Sequence, residues 1–194
     1  LLSRNEVGTN PAQFSMSATD FHAECAQRAQ RFPQAMLATA THDHKRGEDL
    51  RARLAVLSEI PRRWTETIRR WSALNTPHRQ RREGGYQPSG ADEYMLYQML
   101  VGAWPLQLQP DDNDGLAALR GRLETWQTKA LREAKRQTSW TEPNADYETA
   151  CQLFLGGLLD PARAPAFRAE LHAFFHTCAP AGAVNGPGQT LLKF

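Results

Sequence analysis

The stretch Ala35-Met36-Leu37-Ala38-Thr39-Ala40-Thr41-His42-Asp43-His44-Lys45-Arg46-Gly47-Glu48-Asp49 decides how this chain is interpreted. Its first part, 35–41, is an apolar run of strand length, and its second part is a cluster of ionisable side chains. Enzymes with α/β architecture place reactive groups in this way, at the end of a buried strand. We therefore predict a strand over Ala35–Thr41 and a candidate functional site directly after it.

The composition of the 194-residue chain limits its partners. A net charge of +2, with 23% charged residues, leaves no excess that would require nucleic acid or an anionic membrane. No apolar run approaches the roughly 18 residues of a spanning helix, and the first residues do not form a signal peptide. Three distant cysteines predict reduced thiols rather than a disulfide framework: Cys25, Cys151 and Cys178. We expect a cytoplasmic protein without a cofactor and without a nucleic-acid or membrane partner.

The rest of the chain is predicted to be mainly α, with about seven helices around this one strand. Capping residues, prolines and the spacing of apolar residues indicate their positions. The predicted helices are 17–32, 48–59, one from Pro61 through Trp71, 91–104, 115–137, 144–158 and a long one from Asp160 through Phe175. We predict a flexible basic loop over 76–90, a turn-rich segment over 179–188 and the beginning of a helix over 189–194.

A single buried strand has no hydrogen-bonding partner within such a chain, which is costly. The chain also begins at Leu1 rather than at Met and stops in an apolar segment, 191–194. We therefore expect a piece of a longer protein, whose other parts supply the neighbouring strands.

Two other features allow a binding function but favour a structural one. Trp64 and Trp71 have helical spacing, which is more typical of a core than of a ligand platform. Arginines lie before and within the predicted basic loop. Because aromatic residues do not alternate with them, the pattern indicates a solvated surface rather than a nucleic-acid site. These arginines are Arg62, Arg63, Arg69, Arg70, Arg79, Arg81 and Arg82.

The residue types of the candidate site leave several chemistries open. His42 and His44 could ligate zinc with Glu48 or Asp49, although this spacing is common by chance. No serine or cysteine nearby has the context of a catalytic nucleophile. A carboxylate such as Asp43 at a strand end suits glycoside chemistry. The alternative is structural: Asp43 and Asp49 would cap the next helix or pair with arginines.

A family resemblance favours the glycoside alternative. Residues 38–53 resemble the region that follows the seventh barrel strand of maltooligosyltrehalose synthases, which belong to the α-amylase superfamily of glycoside hydrolases. Similar stretches follow the family's order along essentially the whole chain. They are Ser3–Gly8, Asp92-Glu93-Tyr94, Tyr97-Gln98, Lys129–Lys135, Thr138-Ser139-Trp140, Pro143-Asn144, Val184-Asn185-Gly186 and Gln189–Leu192.

The resemblance implies a fold and an activity. The chain would contain the seventh strand of a (β/α)8 barrel, with residues 1–47 forming the end of the barrel segment and 48–194 a helical insertion that leads toward the eighth strand. Members of the family are isomerases that convert the reducing-end α-1,4 bond of a maltooligosaccharide to an α,α-1,1 bond. They do so by intramolecular transfer with a retaining mechanism. A non-catalytic helical interaction module is the alternative.

The resemblance also assigns roles to residues. Asp43 matches the carboxylate that stabilises the transition state, and His42 matches the neighbouring histidine that contacts sugar hydroxyls. Lys45 and Arg46 match residues that bind the substrate, and no metal is expected. His44 departs from the pattern, which has a small polar residue there. The nucleophilic Asp and the acid/base Glu would lie before Leu1, so the chain alone is expected to be inactive.

Overall fold

The computed structural model describes residues 1–10, 12–13, 15–82 and 84–193, and within them the chain is mainly helical. Seven α-helices and one hairpin follow each other along these residues. The helices are α1 Ala18–Arg31, α2 Glu48–Ala55, α3 Pro61–Asn75, α4 Gly90–Ala103, α5 Asn113–Ala134, α6 Ala145–Leu159 and α7 Pro165–Leu191, and the strands are β1 Gln80–Arg82 and β2 Gly85–Gln87. Short 3₁₀ turns cover Leu2–Arg4, His42–His44, Val56–Ser58 and Thr76–His78. No helix in these ranges is long and apolar enough to cross a bilayer.

The helix starts follow local capping chemistry. The Ser17 hydroxyl accepts a hydrogen bond from the Asp20 backbone N–H at 3.0 Å, and the Asn144 side chain accepts one from Tyr147 N–H at 3.1 Å. Each bond satisfies a backbone donor that the first helical turn leaves unpaired. Pro61 occupies the first turn of α3, where its missing N–H costs nothing. These predicted starts are confirmed.

An aromatic cluster forms the centre of the core. Trp71 is fully buried, and its ring centre lies 5.3 to 5.6 Å from those of three other rings: Tyr97 at 5.6 Å, Phe167 at 5.3 Å and Phe174 at 5.6 Å. Trp64 packs edge-on against Trp71 at 6.0 Å. Such pairs contribute about 0.5–1.5 kcal/mol each beyond the area they bury. The two tryptophans are therefore core residues, as predicted, and are not available as a binding platform.

A buried polar network joins α3, α4 and the hairpin. Tyr97 donates a 2.7 Å hydrogen bond to Glu93, whose other carboxylate oxygen lies 3.2 Å from the Arg79 guanidinium. The Asn75 amide donates to the Tyr97 hydroxyl at 2.9 Å. Burial raises the pKa of Tyr97 well above its usual value. Because Arg79 is committed to this network, the predicted basic loop keeps fewer arginines free for an anionic partner.

Helix α2, which follows the candidate site, is fixed to the core from two sides. The Arg53 guanidinium donates to the carbonyls of Gly102 at 2.6 Å and Trp104 at 3.0 Å, at the end of α4. It also lies 4.6 Å from the centre of the Phe175 ring on α7. At Gly182, a Cβ atom would come within 2.8 Å of the Arg53 Cα. The close approach of α2 and α7 therefore requires glycine at that position.

The predicted strand over Ala35–Thr41 is wrong for this structure. These residues are irregular and largely exposed, with Met36 95% accessible. A strand needs a neighbouring strand for its backbone hydrogen bonds, and β1 and β2 pair only with each other among the described residues. Side chains supply the contacts instead: Arg51 donates to Thr39 O at 2.9 Å, and Lys193 donates to Leu37 O at 3.1 Å.

Other boundaries also differ from the predictions. Segment 179–188 is not a turn but the interior of α7, because Ala179 and Gly182 are buried and the small residues allow close packing on α2. The loop over 76–90 contains the antiparallel hairpin, in which Arg81 pairs with Tyr86. Gly84, before β2, and Gly85, its first residue, have positive φ of 92° and 129°, which glycine adopts without strain. The last long helix begins at Pro165 rather than at Asp160, and α5 ends at Ala134.

Candidate functional site

A single 3₁₀ turn, His42–His44, shapes the site loop, which we define as residues 41–47. The Thr41 hydroxyl accepts from the Asp43 N–H at 3.3 Å, and the Thr41 N–H donates to the His44 Nδ1 atom at 2.9 Å. These two bonds form a reciprocal cap at the start of the turn. The turn ends at Lys45, which adopts the left-handed conformation with φ of 59°. Thr41 and Lys45 thus set the direction of the side chains between them.

His44 has a structural role that the sequence pattern did not indicate. Because its Nδ1 atom accepts from a backbone N–H, that nitrogen carries no proton and the neutral ring carries it on Nε2. A small polar residue could cap the turn in a similar way, which explains how histidine is accommodated at this position. Within the described ranges, no three His, Cys, Asp or Glu side chains gather as a metal site. The His42 and His44 pair therefore lacks a third protein ligand there.

Asp43 and His42 lie side by side at the surface of the loop. The His42 Nδ1–H donates to the Asp43 carboxylate at 3.3 Å, and both side chains are more than half exposed. The Asp43 carbonyl accepts from Val7 N–H at 3.2 Å, which ties the loop to the N-terminal segment. The carboxylate is thus held in place while most of its hydrogen-bonding capacity faces solvent.

The structural alternative for Asp43 is not supported. The N-cap of α2 is Gly47, without a side-chain cap, so Asp43 does not start that helix. The Arg51 guanidinium donates to the carbonyls of Ser3 and Thr39 rather than to a carboxylate. Asp49 lies in the first turn of α2, where the helix dipole favours an acidic side chain.

A concave pocket of about 770 Å³ opens beside the site loop. Its walls are the N-terminal segment, the site loop and one face of α5. Three of the four residues that the sequence predicted for the site line it: His42, Lys45 and Arg46. Asp43 is outside the lining but adjacent to His42, with which it shares the hydrogen bond described above. A pocket of this size is within the range typical of small-ligand sites.

Arg46 joins the loop to the α5 wall of the pocket. Its guanidinium carbon lies 5.8 Å from the centre of the Trp126 ring, and its Nε donates to the Met99 sulfur at 3.4 Å. Burial lowers the pKa of the Arg46 guanidinium, and the nearby Glu133 carboxylate opposes this effect. A partly desolvated cation over an aromatic ring is held more firmly than a surface arginine. Arg46 is therefore a fixed part of the pocket wall.

Sequence reasoning missed the contribution of α5 to the pocket. Four charged or aromatic residues of α5 line it: Arg122, Trp126, Lys129 and Glu133. Their spacing of four, three and four residues places them on one helix face. This spacing was visible in the sequence, but Trp126 also packs against the hydrophobic core, so the spacing alone did not indicate a pocket. Three of the four residues of this α5 stripe are charged, which was the available signal.

No protein-family model matches the chain. Two relatives from Mycobacterium tuberculosis strains, both provisionally named maltooligosyl trehalose synthases, are 39% identical to it over 160 residues. The aligned part covers 82% of this chain and 19% of each relative, so the chain spans about a fifth of the length of the curated relatives it matches.

Solved structures of maltooligosyltrehalose synthases contain a segment with a similar fold. The maltooligosyltrehalose synthase from Arthrobacter ramosus matches with a TM-score of 0.73 and 30% identity, over 97% of this chain and 22% of that one. The hypothetical maltooligosyl trehalose synthase of Sulfolobus tokodaii matches with a TM-score of 0.74 and 28% identity, over 94% of this chain and 23% of that one.

Proposed function

We propose that this chain, which is homologous to one segment of the maltooligosyl trehalose synthases, forms part of an enzyme that builds trehalose ends on maltooligosaccharides. The reaction would be the conversion of the reducing-end α-1,4 bond to an α,α-1,1 bond by retaining intramolecular transfer. The observation that carries the proposal is the 39% identity over 82% of the chain, combined with a pocket beside the loop that bears Asp43.

Asp43 would stabilise the transition state of this reaction. An oxocarbenium-like sugar draws electron density from its hydroxyls, so their hydrogen bonds to a carboxylate strengthen as the charge develops. The Asp43 carboxylate suits this role because it is fixed by the turn and still faces solvent. His42, which donates to Asp43, would also contact a hydroxyl of the same sugar.

The pocket would hold neighbouring sugars of the chain. Lys45 and Arg46 supply donors for hydroxyl oxygens, and the part of the Trp126 ring that Arg46 leaves uncovered would offer an apolar surface to a sugar ring. The stripe on α5 therefore extends the binding surface away from Asp43. Residues 48–194, which include α5, would act as a helical insertion beside the barrel segment that contains residues 1–47 and the seventh strand.

The formation of that strand would depend on parts of the barrel that this chain does not contain. We further propose that the nucleophilic Asp and the acid/base Glu belong to those parts, so that this chain alone does not turn over substrate. The test is incubation of the purified chain with maltopentaose, followed by an assay for trehalose ends. Clear turnover would overturn this part of the proposal.

Sugar binding by the chain itself provides a second test. We expect maltopentaose to bind the purified chain weakly and the Trp126→Ala variant to bind more weakly still, by about tenfold, because one stacking surface is lost. The matched control is Trp140→Ala, since Trp140 is a tryptophan that does not line the pocket. Because Trp126 is partly buried against the core and Trp140 is 56% exposed, circular dichroism checks that both variants remain folded. Equal affinities for the two variants in titration calorimetry would exclude the α5 stripe as the sugar-binding surface.

The state of the cysteines supports a cytoplasmic location. Cys25, Cys151 and Cys178 are all free thiols. Burial raises the pKa of Cys151 to about 12 and that of Cys178 to about 11, which keeps both thiols protonated and unreactive at neutral pH. Free, unreactive thiols are typical of proteins in a reducing compartment.

A further inference from the structure

Helix α7 carries two histidines whose imidazole rings are in contact. His172 and His176 are four residues apart and so lie on the same helix face. Their Nε2 atoms are 3.0 Å apart, and their rings stand at 84° to each other. From this geometry we propose that His172 and His176 form a bidentate site for a divalent first-row transition-metal ion of tetragonal geometry, such as Cu²⁺ or Ni²⁺.

The distance between the two nitrogens determines which ions fit. Metal–imidazole bonds are about 2.0–2.1 Å long, so two nitrogens 3.0 Å apart subtend an angle of about 95° at a shared ion. This angle matches the roughly 90° between neighbouring ligands in square-planar or octahedral complexes of Cu²⁺ and Ni²⁺. It is smaller than the roughly 109° of a tetrahedral zinc site.

The core fixes the orientation of both rings. His172 packs against Trp104 at 6.3 Å between ring centres, and His176 packs edge-on against Phe175 at 5.1 Å. Trp104 and Phe175 are buried, so both histidines rest on side chains of the core. Ligand atoms that already lie close together lose less side-chain entropy when the ion binds than ligands brought together from separate places.

The proton balance of binding is simple. Without metal, one Nε2–H donates to the other Nε2, so one ring is the Nε2 tautomer and the other is the Nδ1 tautomer. The ion needs the lone pairs of both Nε2 atoms. The ring that carries its proton on Nε2 makes that lone pair available when the proton moves to its Nδ1 atom. No net proton is released from a pair of neutral rings. The remaining coordination positions belong to water, since no third His, Cys, Asp or Glu joins the pair in the described part of the chain.

The pair on α7 is better prepared for metal than the His42 and His44 pair in the site loop. The Nδ1 atom of His44 is occupied by the Thr41 N–H, and His42 donates its own Nδ1–H to Asp43. To bind a metal ion, His42 and His44 would each have to give up this hydrogen bond or bind through the Nε2 atom. On α7, the two Nε2 atoms give up only the hydrogen bond to each other, and they already lie at the separation that a shared ion requires.

Titration of the purified chain with CuCl₂, followed by electron paramagnetic resonance, tests the proposal. We expect one equivalent to bind first, with hyperfine coupling to two imidazole nitrogens. Loss of a residue that only hydrogen-bonds to a metal ligand weakens metal binding by about 10–100-fold. Removal of a ligand itself, in His172→Gln or His176→Gln, should therefore weaken Cu²⁺ binding by at least about tenfold. Both side chains are at the surface, and circular dichroism of the variants checks that α7 remains folded.

Two further variants distinguish this site from other histidines of the chain that could bind the ion. His22→Gln, at another exposed histidine, is the neutral control and should not change the titration. The double variant His42→Gln/His44→Gln should also keep the first equivalent. The proposal is overturned if the double variant loses that equivalent, if His172→Gln/His176→Gln keeps it, or if the unaltered chain binds no Cu²⁺.

Discussion

The site loop and the aromatic core are held together by different kinds of contact. Around Trp71, rings from α3, α4 and α7 bury each other fully. The site loop relies on hydrogen bonds of Thr41 and on backbone contacts to the N-terminal segment, and its charged side chains face solvent. Stability is therefore concentrated in the helices, whereas the proposed chemistry is carried by a segment that adds little to stability. Substitutions in the two regions should have separable effects.

The largest effect is expected in the core, from Trp71→Ala. The change removes a fully buried ring and its contacts with Tyr97, Phe167 and Phe174. We expect the free energy of unfolding to fall by about 3–5 kcal/mol. Chemical denaturation measures it, with Trp140→Ala as the control because Trp140 is largely exposed. Similar losses from both variants would contradict the assignment of Trp71 to the core.

In the site loop, Asp43→Asn should affect activity without affecting stability. In a full-length enzyme that contains this segment, we expect turnover of maltopentaose to fall about 10²–10³-fold, because a carboxylate contact to the developing charge is weakened. The melting temperature should stay the same, since the carboxylate is exposed and bonded within the chain to His42. Asp49→Asn, at an exposed acid outside the pocket lining, is the matched control. Near-normal turnover in Asp43→Asn would refute the proposed role.

Gly182→Ala tests the connection between the two regions through α2 and α7. The new methyl group would lie 2.8 Å from the Arg53 Cα, so one helix must shift. We expect a loss of about 1–3 kcal/mol in unfolding free energy from this overpacking. Gly188→Ala in the same helix meets no atom within 4 Å and should be neutral or slightly stabilising. If the two variants are equally stable, the close packing of α2 on α7 is wrong.

The smallest effect is expected from Thr41→Val, which removes the hydroxyl that caps the site loop. Loss of a capping side chain costs about 1 kcal/mol locally. Amide hydrogen exchange should accelerate at residues 42–44, while global unfolding changes by less than about 0.5 kcal/mol. A global loss as large as that of Gly182→Ala would show that the site loop is part of the cooperative core after all.

The accuracy of the sequence predictions depended on how local each feature is. The starts at Ser17, Pro61 and Asn144 were predictable because the capping groups lie within one turn of the backbone they satisfy. The burial of Trp64 and Trp71 followed from helical spacing. The stripe on α5 was not recognised, because its Trp126 also packs against the core beside the buried leucines of the same helix.

The site was partly accessible to sequence reasoning. Lys45, Arg46 and His42 were named before the pocket was known, and they line it together. The capping role of His44 was not predictable, since it depends on the direction of the ring in the folded turn. The catalytic assignment of Asp43 stays a prediction that rests on the family resemblance and on the exposure of its carboxylate.

The amino-acid sequence was sufficient to predict that this chain is mainly helical, where most helices begin and that Trp64 and Trp71 belong to the core. These features depend on caps, prolines and periodicity, which act over a few residues. Tertiary structure decided the length of α7 and the conformation of Ala35–Thr41. Segment 179–188 is helical because Gly182 lets α7 pack on α2, and 35–41 is not a strand because a strand requires hydrogen-bonding partners that the described residues do not provide.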